Sequence, residues 1–225
     1  MPIIKNIKLD IPSNVGEAFL KKLMGGELNP KLQALLDEKR ELCIKNIYLK
    51  AIYQTYEIDK IENEKVYFKS GNIFSGPNIS KILKGSQKTT IFIYTLGKKI
   101  DEIIKEESNS GDTLATIVMD AITTNILGFL GEQVGNIIKK EELKEDNWGS
   151  TCSYSPGQYR WLIEEQKEIF NMVDATKIGV NLNKSYLMVP FKSVSGVYGF
   201  GPLERIDKTK VACDLCPREN CIGRK

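Results

Sequence analysis

The sequence predicts an α+β fold, built from a twisted, largely antiparallel sheet with flanking helices. Segments with the two-residue alternation of strands are interspersed with segments of helical period, and the paired strand-like segments are joined by short polar turns typical of hairpins. The Gly-x-Gly-x-x-Gly fingerprint of a βαβ dinucleotide fold is absent from the 225 residues. Helices on an antiparallel sheet therefore fit better than a parallel, doubly wound sheet.

The first 26 residues contain a strand and a short helix. Residues 3–11, IIKNIKLDI, alternate apolar and polar side chains and are predicted to form the strand. Ser13 or Asn14 can cap a helix that Gly25 and Gly26 end. The predicted buried residues of this helix are Val15, Phe19 and Leu23.

A longer helix is predicted to begin at Pro30, because proline suits the first turn of a helix. It runs through LQALLDEKRELCIKNIYLKAIY, as far as Tyr53. Cys43 lies in this helix and is interpreted as a small buried side chain. The other predicted core residues are Leu32, Leu35, Leu36, Leu42 and Ile47.

The pattern changes to β from Tyr53 to Tyr94. TYEIDKIENEKVYFKS predicts two strands about a polar turn, SGPNISKIL predicts a loop that enters a short helix, and TTIFIYTLG predicts a strand. Another helix should follow Gly97. One side of that helix is formed by Ile100, Ile103 and Ile104.

The clearest helix begins at Asp112 and keeps apolar residues at i, i+3, i+4 and i+7 for seven turns, so one stripe of it must be buried. Gly128, Gly131 and Gly135 share another face, although each glycine weakens a helix by about 1 kcal/mol relative to alanine. Another part of the protein should therefore approach this backbone closely. Packing of the helix on the sheet is the favoured explanation, and a groove that faces a ligand is the alternative.

The C-terminal part is predicted to contain one more helix and two more strands. The helix covers residues 162–175, with Ile169, Phe170 and Val173 buried, and SYLMVPFKSVSGVYGFG forms the two strands about a short turn. Residues 1–201 are expected to form one α+β domain, in which residues 1–95 are a candidate sub-lobe. Residues 202–225 are a cysteine-containing tail.

Composition argues against several classes of function. Lysine and glutamate are mixed throughout the chain and the net charge is only +3, which is a weak basis for binding nucleic acid. The chain has no histidine, which excludes the usual general base and every histidine-activated nucleophile. Polar residues interrupt the apolar runs and no cleavable signal is present, so we expect no membrane span and a cytoplasmic location.

A rigid turn precedes the helix of residues 162–175. Pro156 fixes its own φ and favours an extended Ser155, while Gly157 accepts backbone angles that are closed to other residues. Such a turn holds backbone N–H and C=O groups in a fixed array. This array could bind an adenosine or an amino-acid headgroup, or it could simply orient the helix.

The order of the motifs carries a resemblance to a known family. SPGQYRWLIEEQKEIF followed by IGVNLNKSYLMVPFKSVSGVYGFG, with IYTLGKKIDEII and the long helix upstream, resembles the activation domain of cobalamin-dependent methionine synthase, especially its stand-alone bacterial members. The resemblance covers residues 13–201. It implies an antiparallel sheet with flanking helices that binds S-adenosylmethionine. In that family the methyl group re-methylates a corrinoid in the inactive cobalt(II) state, with an electron from a flavodoxin-like donor.

The resemblance places the ligand site at the turn. The family's turn is Arg-x-x-x-Gly-Tyr, and its arginine engages the carboxylate of the ligand. Here Ser153 stands in place of the arginine and Gln158 in place of the tyrosine, while Ser155, Pro156 and Gly157 match. Loss of a bidentate carboxylate partner removes about 1.5 to 3 kcal/mol of binding free energy. Weak or absent binding of S-adenosylmethionine is therefore one of the open alternatives.

The same resemblance indicates further site residues. Tyr159, one position late, and Arg160 are candidate substitutes for the missing contacts. A family glutamate that meets the ligand's amino group falls at Gly128. Ser193 and Ser195 lie at alternate positions of a strand, where their hydroxyls either face the corrinoid partner or only stabilise a hairpin.

The cysteine tail suggests a metal site. Cys213, Cys216 and Cys221 form a Cys-x-x-Cys-x-x-x-x-Cys motif, which in a cytosolic protein favours zinc or an iron–sulfur cluster over a disulfide. Three ligands are one short of a closed site, and Cys152 beside the turn is the candidate fourth ligand. A ligand from solvent or a partner is the alternative, and a reduced tail without metal is another.

The expected function is that of an accessory protein. It would dock on a separate corrinoid protein, or on a methionine synthase that lacks its own activation domain, and support re-methylation of its cobalt with S-adenosylmethionine. A chain without histidine cannot carry the corrinoid-binding Asp-x-His-x-x-Gly signature, so cobalamin is expected only through the partner. The alternatives are a docking module that has lost S-adenosylmethionine and a metal or iron–sulfur redox partner. Enzymatic activity within a cobalamin-dependent methyltransferase system is left open.

Overall fold

The computed structural model describes residues 3–5, 7–143, 147–207 and 212–219. The strands are β1 (Ile3–Lys5), β2 (Lys50–Glu62), β3 (Lys65–Phe68), β4 (Ile73–Ser75), β5 (Lys88–Thr95), β6 (Trp148–Ser150), β7 (Asn181–Leu182), β8 (Met188–Val189) and β9 (Ser193–Pro202). The α-helices are α1 (Glu17–Met24), α2 (Pro30–Lys45), α3 (Pro77–Ile82), α4 (Lys98–Asn109), α5 (Thr113–Glu142) and α6 (Gln166–Met172). Short 3-10 helices cover Ile163–Glu165, Ala175–Ile178 and Ala212–Leu215.

The main sheet is antiparallel at every described strand pair, which confirms the predicted α+β fold. Its strand order is β4-β3-β2-β5-β9-β6, and β1 pairs with the first residues of β2 on the side opposite β5. A bulge between Ile58 and Lys60 bends β2 where its pairing changes from β5 to β3. Strands β1 to β5 thus lie in the same sheet as β9.

Alternation along β5 gives the sheet two apolar faces. Phe92 and Tyr94 point into a core that includes residues of α1, α2 and α5. Ile91 and Ile93 point into a second core, which includes residues of α3, α6 and the 3-10 helix after α6. Both faces of β5 are therefore covered, and this explains why residues 91–94 of this strand, IFIY, are apolar without alternation.

Helix α5 is the central helix of the first core, as its period predicts. Asp112 caps it, because one carboxylate oxygen accepts the Ala115 N–H at 2.9 Å. Its buried residues are Ala115, Val118, Met119, Ala121, Ile122, Thr123, Ile126, Leu130, Val134, Gly135 and Ile138.

By length and composition alone, α5 is also apolar enough to cross a membrane. The polar residues of this segment are therefore too few to exclude a membrane span by composition. The helix packs against α1, α2 and the sheet, and a core helix of a globular fold satisfies the same criteria of length and hydropathy.

Two of the three glycines of α5 let the sheet approach the helix. A Cβ atom at Gly135 would lie 2.6 Å from the Tyr198 hydroxyl oxygen, and one at Gly131 would overlap the Tyr94 hydroxyl. The predicted close packing of helix on sheet is therefore confirmed at these two positions. Gly128 differs, because nothing described lies within 4 Å of a Cβ atom built there.

The predicted N-terminal strand is only partly correct. Residues 3–5 pair with β2, whereas Ile7, Leu9 and Ile11 pack on the first core outside any described strand. The alternation of residues 7–11 therefore reflects burial on one side and not strand pairing.

Helix α1 begins after Gly16, so the predicted serine or asparagine cap is wrong. Gly16 has a φ of 89° and packs against Ile122 of α5, so the close approach of two backbones determines the start of the helix. The predicted end is confirmed, since Gly25 adopts the left-handed conformation. Leu23 is exposed, contrary to prediction, and Leu20 is the fully buried residue.

Helix α2 begins at Pro30 as predicted, and Cys43 is buried in it. The predicted continuation to Tyr53 is wrong, because the helix ends at Asn46, whose side-chain amide donates to the Leu42 carbonyl at 2.8 Å. The β-branched and aromatic residues that follow pair with β5 instead, so tertiary pairing prevails over a possible helical period.

The C-terminal part differs most from its prediction. The predicted helix over residues 162–175 is the 3-10 helix Ile163–Glu165 followed directly by α6, which ends because Val173 is extended. Strand β8 pairs with β7 and β9 enters the main sheet, so the predicted pairing of the two strands with each other is wrong. Strands β4 and β6 have three residues each, which is too short for a periodic signal.

Candidate functional site

Residues 155–158 form a turn that uses its own N–H groups. The Gln158 N–H donates to the Ser155 carbonyl at 3.1 Å, and the Gln158 side-chain oxygen accepts the Ser155 N–H at 3.0 Å. The Gly157 N–H donates to the Trp161 carbonyl at 2.8 Å, with the positive φ of 86° that glycine adopts without strain. A ligand would therefore meet the side chains of this turn rather than its N–H groups.

A buried aromatic pair attaches the turn to the second core. Tyr154 exchanges two backbone hydrogen bonds with Val197 of β9, and its ring stacks on Trp161 with the ring centroids 5.7 Å apart. The Tyr154 hydroxyl donates to the Tyr159 carbonyl, which also accepts a 2.9 Å hydrogen bond from the Asn78 side chain of α3. Tyr154 and Trp161 are almost fully buried, so the turn has a rigid base.

The turn forms one side of a cleft of about 330 Å³, which is within the usual size of small-molecule sites. The first residues of β9 and α6 form its floor, and the β7–β8 hairpin forms the opposite wall. The cleft is lined by Ser155, Pro156, Gln158, Ile163, Gln166, Tyr186, Leu187, Met188, Ser193, Val194 and Ser195.

Hydroxyl and amide groups fix the floor of the cleft. The Ser195 hydroxyl donates to Gln166 Oε1 at 2.7 Å, and these residues are only 1% and 3% exposed. Ser193 Oγ lies 2.7 Å from the Pro190 carbonyl oxygen and 2.8 Å from Thr95 Oγ1. Both serine hydroxyls are thus engaged within the protein, and the Gln166 amide nitrogen is the floor's most available donor.

The β7–β8 hairpin supplies the opposite wall. The side-chain oxygen of Asn183 closes its loop by accepting the Ser185 N–H at 2.8 Å and the Leu187 N–H at 3.0 Å. Tyr186 lies inside this loop with a positive φ of 58° and contributes the only aromatic ring among the described residues that line the cleft. Leu187 and Val189 are 41% and 48% exposed, so the wall also presents apolar surface to solvent.

The structure brings five of the nine predicted ligand residues into this cleft. They are Ser155, Pro156, Gln158, Ser193 and Ser195. The two motifs that carry the resemblance, at the turn and at the start of β9, therefore meet at one place.

The other four predicted residues do not line the cleft. Ser153 is exposed and hydrogen-bonds to Tyr198, which faces the first core. The Arg160 guanidinium lies over the Tyr159 ring, with the guanidinium carbon 5.9 Å from its centroid, and both residues are exposed. Gly157 shapes the turn through its backbone, and Gly128 lies exposed on α5.

Sequence reasoning misses Gln166, Tyr186, Leu187 and Met188 as site residues. Each lies within a stretch that carries the resemblance, but no periodic pattern distinguishes these residues from their neighbours. Only the fold, which places α6 and the β7–β8 hairpin beside the turn, identifies them.

Electrostatically the cleft is neutral, since no charged side chain is among its described lining residues. Glu165 lies just behind it, where its carboxylate accepts the Ser75 N–H at 2.8 Å and lies 3.5 Å from Trp161 Nε1. Burial raises the pKa of Glu165 above its ordinary value, and the hydrogen bonds from Ser75 and Trp161 oppose this rise.

A larger hollow of about 520 Å³ lies at the opposite end of the sheet, between the β2–β3 hairpin and α3. Its lining includes six exposed charged residues, namely Asp59, Lys60, Glu62, Glu64, Lys81 and Lys84. It contains none of the predicted site residues. The smaller cleft is the better candidate, because its floor is buried and fixed and because both motifs reach it.

The predicted metal ligands are only partly described, since Cys221 lies outside the described residues. The Cys216 N–H donates to the Cys213 carbonyl at 3.1 Å. Burial raises the pKa of Tyr154, the hydrogen bond from the Asn78 side chain lowers it, and electrostatic interaction with Cys152 and Cys216 raises it, so both cysteines lie within electrostatic range of Tyr154. Within the described ranges, no group of three potential metal ligands is present, so the zinc or iron–sulfur site stays a prediction.

An antiparallel sheet flanked by helices, with a cleft where a fixed turn meets a central strand, defines the chain as an α+β domain with a candidate ligand site. The chain belongs to the family described as "Vitamin B12 dependent methionine synthase, activation domain", which matches residues 79–206. The matched residues include α5, the turn, β9 and every residue that lines the cleft. The predicted family is thereby confirmed.

Among solved structures, the chain resembles the "MetH Reactivation Domain bound to AdoHcy". The two structures superpose with a TM-score of 0.66 at 13% sequence identity, over 94% of this chain and 81% of that chain. At this identity the likeness concerns the fold. A comparison with curated proteins finds no match.

Proposed function

We propose that the chain binds S-adenosylmethionine in the cleft and serves as an accessory protein that supports re-methylation of the cobalt of a separate corrinoid protein. One observation carries this proposal: the cleft unites the turn of residues 155–158 with Ser193 and Ser195, the two motifs on which the family resemblance rests. Family membership supports the proposal, as does the similar reactivation domain bound to AdoHcy, which is S-adenosylmethionine without its methyl group.

The lining of the cleft suits the uncharged part of such a ligand. Pro156 and Met188 offer apolar contacts, and Tyr186 offers an aromatic surface. The amide groups of Gln158 and Gln166 can donate to and accept from the edge of a base or a ribose. The adenosine part is therefore expected to lie in the cleft.

In the proposed reaction, the cobalt(II) corrinoid of the partner first gains one electron from a flavodoxin-like donor and becomes cobalt(I). The electron pair of cobalt(I) then forms the cobalt–carbon bond while the bond between sulfonium and methyl breaks, and S-adenosylhomocysteine leaves. No proton is transferred, which agrees with a chain that has no histidine and with the uncharged side chains of the described residues that line the cleft. The chain contributes by holding the methyl donor in position.

The proposed partner is a cytoplasmic corrinoid protein or a methionine synthase without its own activation domain. The exposed apolar side chains next to the cleft suit contact with such a protein. These are Leu187, Val189 and Phe191, which are 41%, 48% and 70% exposed. Docking at this surface would bring the corrinoid close to a ligand in the cleft. We expect no role for nucleic acid or a membrane.

A second candidate function is a docking module that has lost S-adenosylmethionine. The observation that favours it is the uncharged lining, since a ligand with an ammonium and a carboxylate would find no opposite charge among the described residues of the cleft. Ser153 and Gly128 at the positions of the family's charged residues point in the same direction.

A metal-dependent redox role is the third candidate. Cys152 and Cys216 both interact electrostatically with Tyr154, which supports a tail that returns toward the turn, as a site shared with Cys213 and Cys221 would require. Iron, sulfide and zinc contents after anaerobic purification test this role, with Cys216→Ser as the variant and the buried Cys43→Ser as its control. An equal metal content in both variants, or the absence of metal from the wild type, contradicts the redox role.

Calorimetric titration of S-adenosylmethionine and S-adenosylhomocysteine into the full chain tests the proposed function. Micromolar binding of both, with one ligand per chain, is the expected result. No heat and no thermal shift would instead establish the docking module, provided that the protein still binds a corrinoid protein. Formation of methylcobalamin on such a partner, dependent on the chain and on a one-electron reductant, tests the accessory role itself.

A further inference from the structure

The β7–β8 hairpin, which forms one wall of the cleft, is attached to the helices by charged groups at its C-terminal end. Asp101, in the first turn of α4, accepts two consecutive backbone N–H groups that follow the hairpin. One is the Phe191 N–H and the other is the Lys192 N–H, at 3.1 Å from Asp101 Oδ1. A single carboxylate thus fixes the segment between the hairpin and β9.

Lys192 attaches the same segment to α5 and β5. Its side chain is 10% exposed, and its ammonium lies 2.6 Å from Asp120 Oδ1 and 3.3 Å from Thr124 Oγ1. Its carbonyl accepts the Leu96 N–H at 2.9 Å. Three elements therefore hold the backbone and the side chain of one residue. Burial of a charged group is a poor source of stability, so specificity of position is the better explanation.

The hairpin itself has few contacts of its own. Strands β7 and β8 pair at only two positions, from Asn181↔Val189 to Leu182↔Met188, and the outer side chains are exposed. At its N-terminal end the buried Val180 continues into the second core. Apart from Met188, which packs on the second core, the position of the Tyr186 loop therefore depends on the attachment at its other end.

We propose that Asp101 is a positioning residue that sets the distance between the Tyr186 wall and the turn of the cleft, with Lys192 as its structural partner. Asp101 does not line the cleft and acts through the Phe191 and Lys192 backbone. This inference rests on the proposed function, because it requires the cleft to be the ligand site.

Asp101→Ala tests the proposal, and Glu102→Ala is the matched control. Glu102 is the next residue of α4, and its carboxylate only pairs with the exposed Lys98 at 3.0 Å. We expect Asp101→Ala to raise the Kd for S-adenosylhomocysteine about tenfold, because small displacements of a site are costly. Asp101→Asn, which keeps one acceptor, should give an intermediate Kd, and Glu102→Ala should leave it unchanged.

A double-mutant cycle with Tyr186→Ala separates positioning from a general loss of stability. If Asp101 acts through the hairpin, Asp101→Ala should change the Kd much less in the Tyr186→Ala background than in the wild type. Equal changes in both backgrounds, or a lower Tm with an unchanged Kd, would overturn the proposal.

Amide hydrogen exchange gives a second readout that does not depend on the ligand. The Asn183 and Leu187 N–H groups are bonded within the hairpin, and Asp101→Ala should accelerate their exchange while that of β5 and β9 stays slow. If the wild type binds neither ligand, the proposed function fails, and faster exchange confined to residues 183–192 still supports Asp101 as the attachment. Unchanged exchange there would refute the attachment as well.

Discussion

Tyr198 of β9 directs its hydroxyl at the backbone of Gly135 in α5, so closely that a Cβ atom there would lie 2.6 Å from the hydroxyl oxygen. Gly135→Ala should therefore destabilise the protein, although alanine favours the helix by about 1 kcal/mol. Overpacking typically costs about 1–3 kcal/mol, and we expect a net loss of about 1 kcal/mol in the free energy of unfolding. Urea unfolding monitored by circular dichroism measures it.

Gly128→Ala is the control for this prediction, because the space around position 128 is open. The same substitution on the same helix should stabilise the protein there by up to about 1 kcal/mol. Equal effects at positions 128 and 135 would show that Tyr198 does not restrict the helix.

Tyr186→Ala should weaken binding of S-adenosylhomocysteine about tenfold, because it removes the aromatic ring from the cleft. Stability should change little, since Tyr186 is only half-buried. Arg160→Ala should leave the Kd unchanged, because the guanidinium lies over Tyr159 outside the cleft. Titration calorimetry on both variants tests these two predictions. A large loss of affinity in Arg160→Ala would show that the arginine does substitute for the missing family contact.

Asn78→Ala should loosen the turn from α3. The Asn78 amide donates at 2.9 Å to the Tyr159 carbonyl, and Asn78 is 3% exposed. Loss of this buried hydrogen bond should cost about 1–2 kcal/mol of stability and weaken ligand binding in parallel. Asn72→Ala is the comparison and should cost less, because Asn72 is only half-buried and its side chain accepts a hydrogen bond from the Ser70 hydroxyl at the surface. Thermal unfolding measures stability, and identical Tm values for the two variants would contradict the assigned role.

The raised pKa of Glu165 leads us to expect a pH dependence of the free energy of unfolding. Its folded-state pKa is raised above the ordinary 4.5 mainly by burial, so the folded protein binds more protons than the unfolded protein between the two pKa values. The contribution of Glu165 is thus most favourable below pH 4.5 and declines as the pH rises through the raised pKa. The free energy of unfolding of Glu165→Gln, relative to that of the wild type, should therefore be higher at pH 7 than at pH 4.5.

Urea unfolding of both proteins at the two pH values tests this prediction. Glu164→Gln, at an exposed neighbouring position, controls for the loss of one surface charge. A difference between wild type and Glu165→Gln that stays constant with pH would contradict the raised pKa.

Long and strongly periodic elements of this fold follow from the sequence. The helix from Asp112, the hairpin of β2 and β3 and the strand β5 are predicted correctly, because each repeats its pattern over enough residues to specify burial. The start of β2 is not predicted correctly, because residues 50–53 suit a helix as well as a strand. Their pairing with β5 makes them a strand. Strands of two or three residues exist only through their partners.

The candidate site divides in the same way. Ser155, Pro156 and Ser195 are indicated as site residues by the family resemblance, because the motifs that carry it are continuous in the chain. Gln166 and Tyr186 are not identified as site residues from the sequence, because their place in the cleft depends on contacts between distant segments. Arg160 shows the converse, because a charged residue near a motif suggests a ligand contact that the direction of its side chain does not provide.

The place of β9 between β5 and β6 has a consequence for the order of events during synthesis. β5 pairs with β9 from Lys88↔Phe200 to Thr95↔Ser193, so one edge of β5 has no partner until residues 193–200 have left the ribosome. During that interval the apolar strand offers open N–H and C=O groups to any other extended chain. A nascent polypeptide of this kind is a natural client for chaperones, and a version cut before Ser193 should accumulate as aggregate.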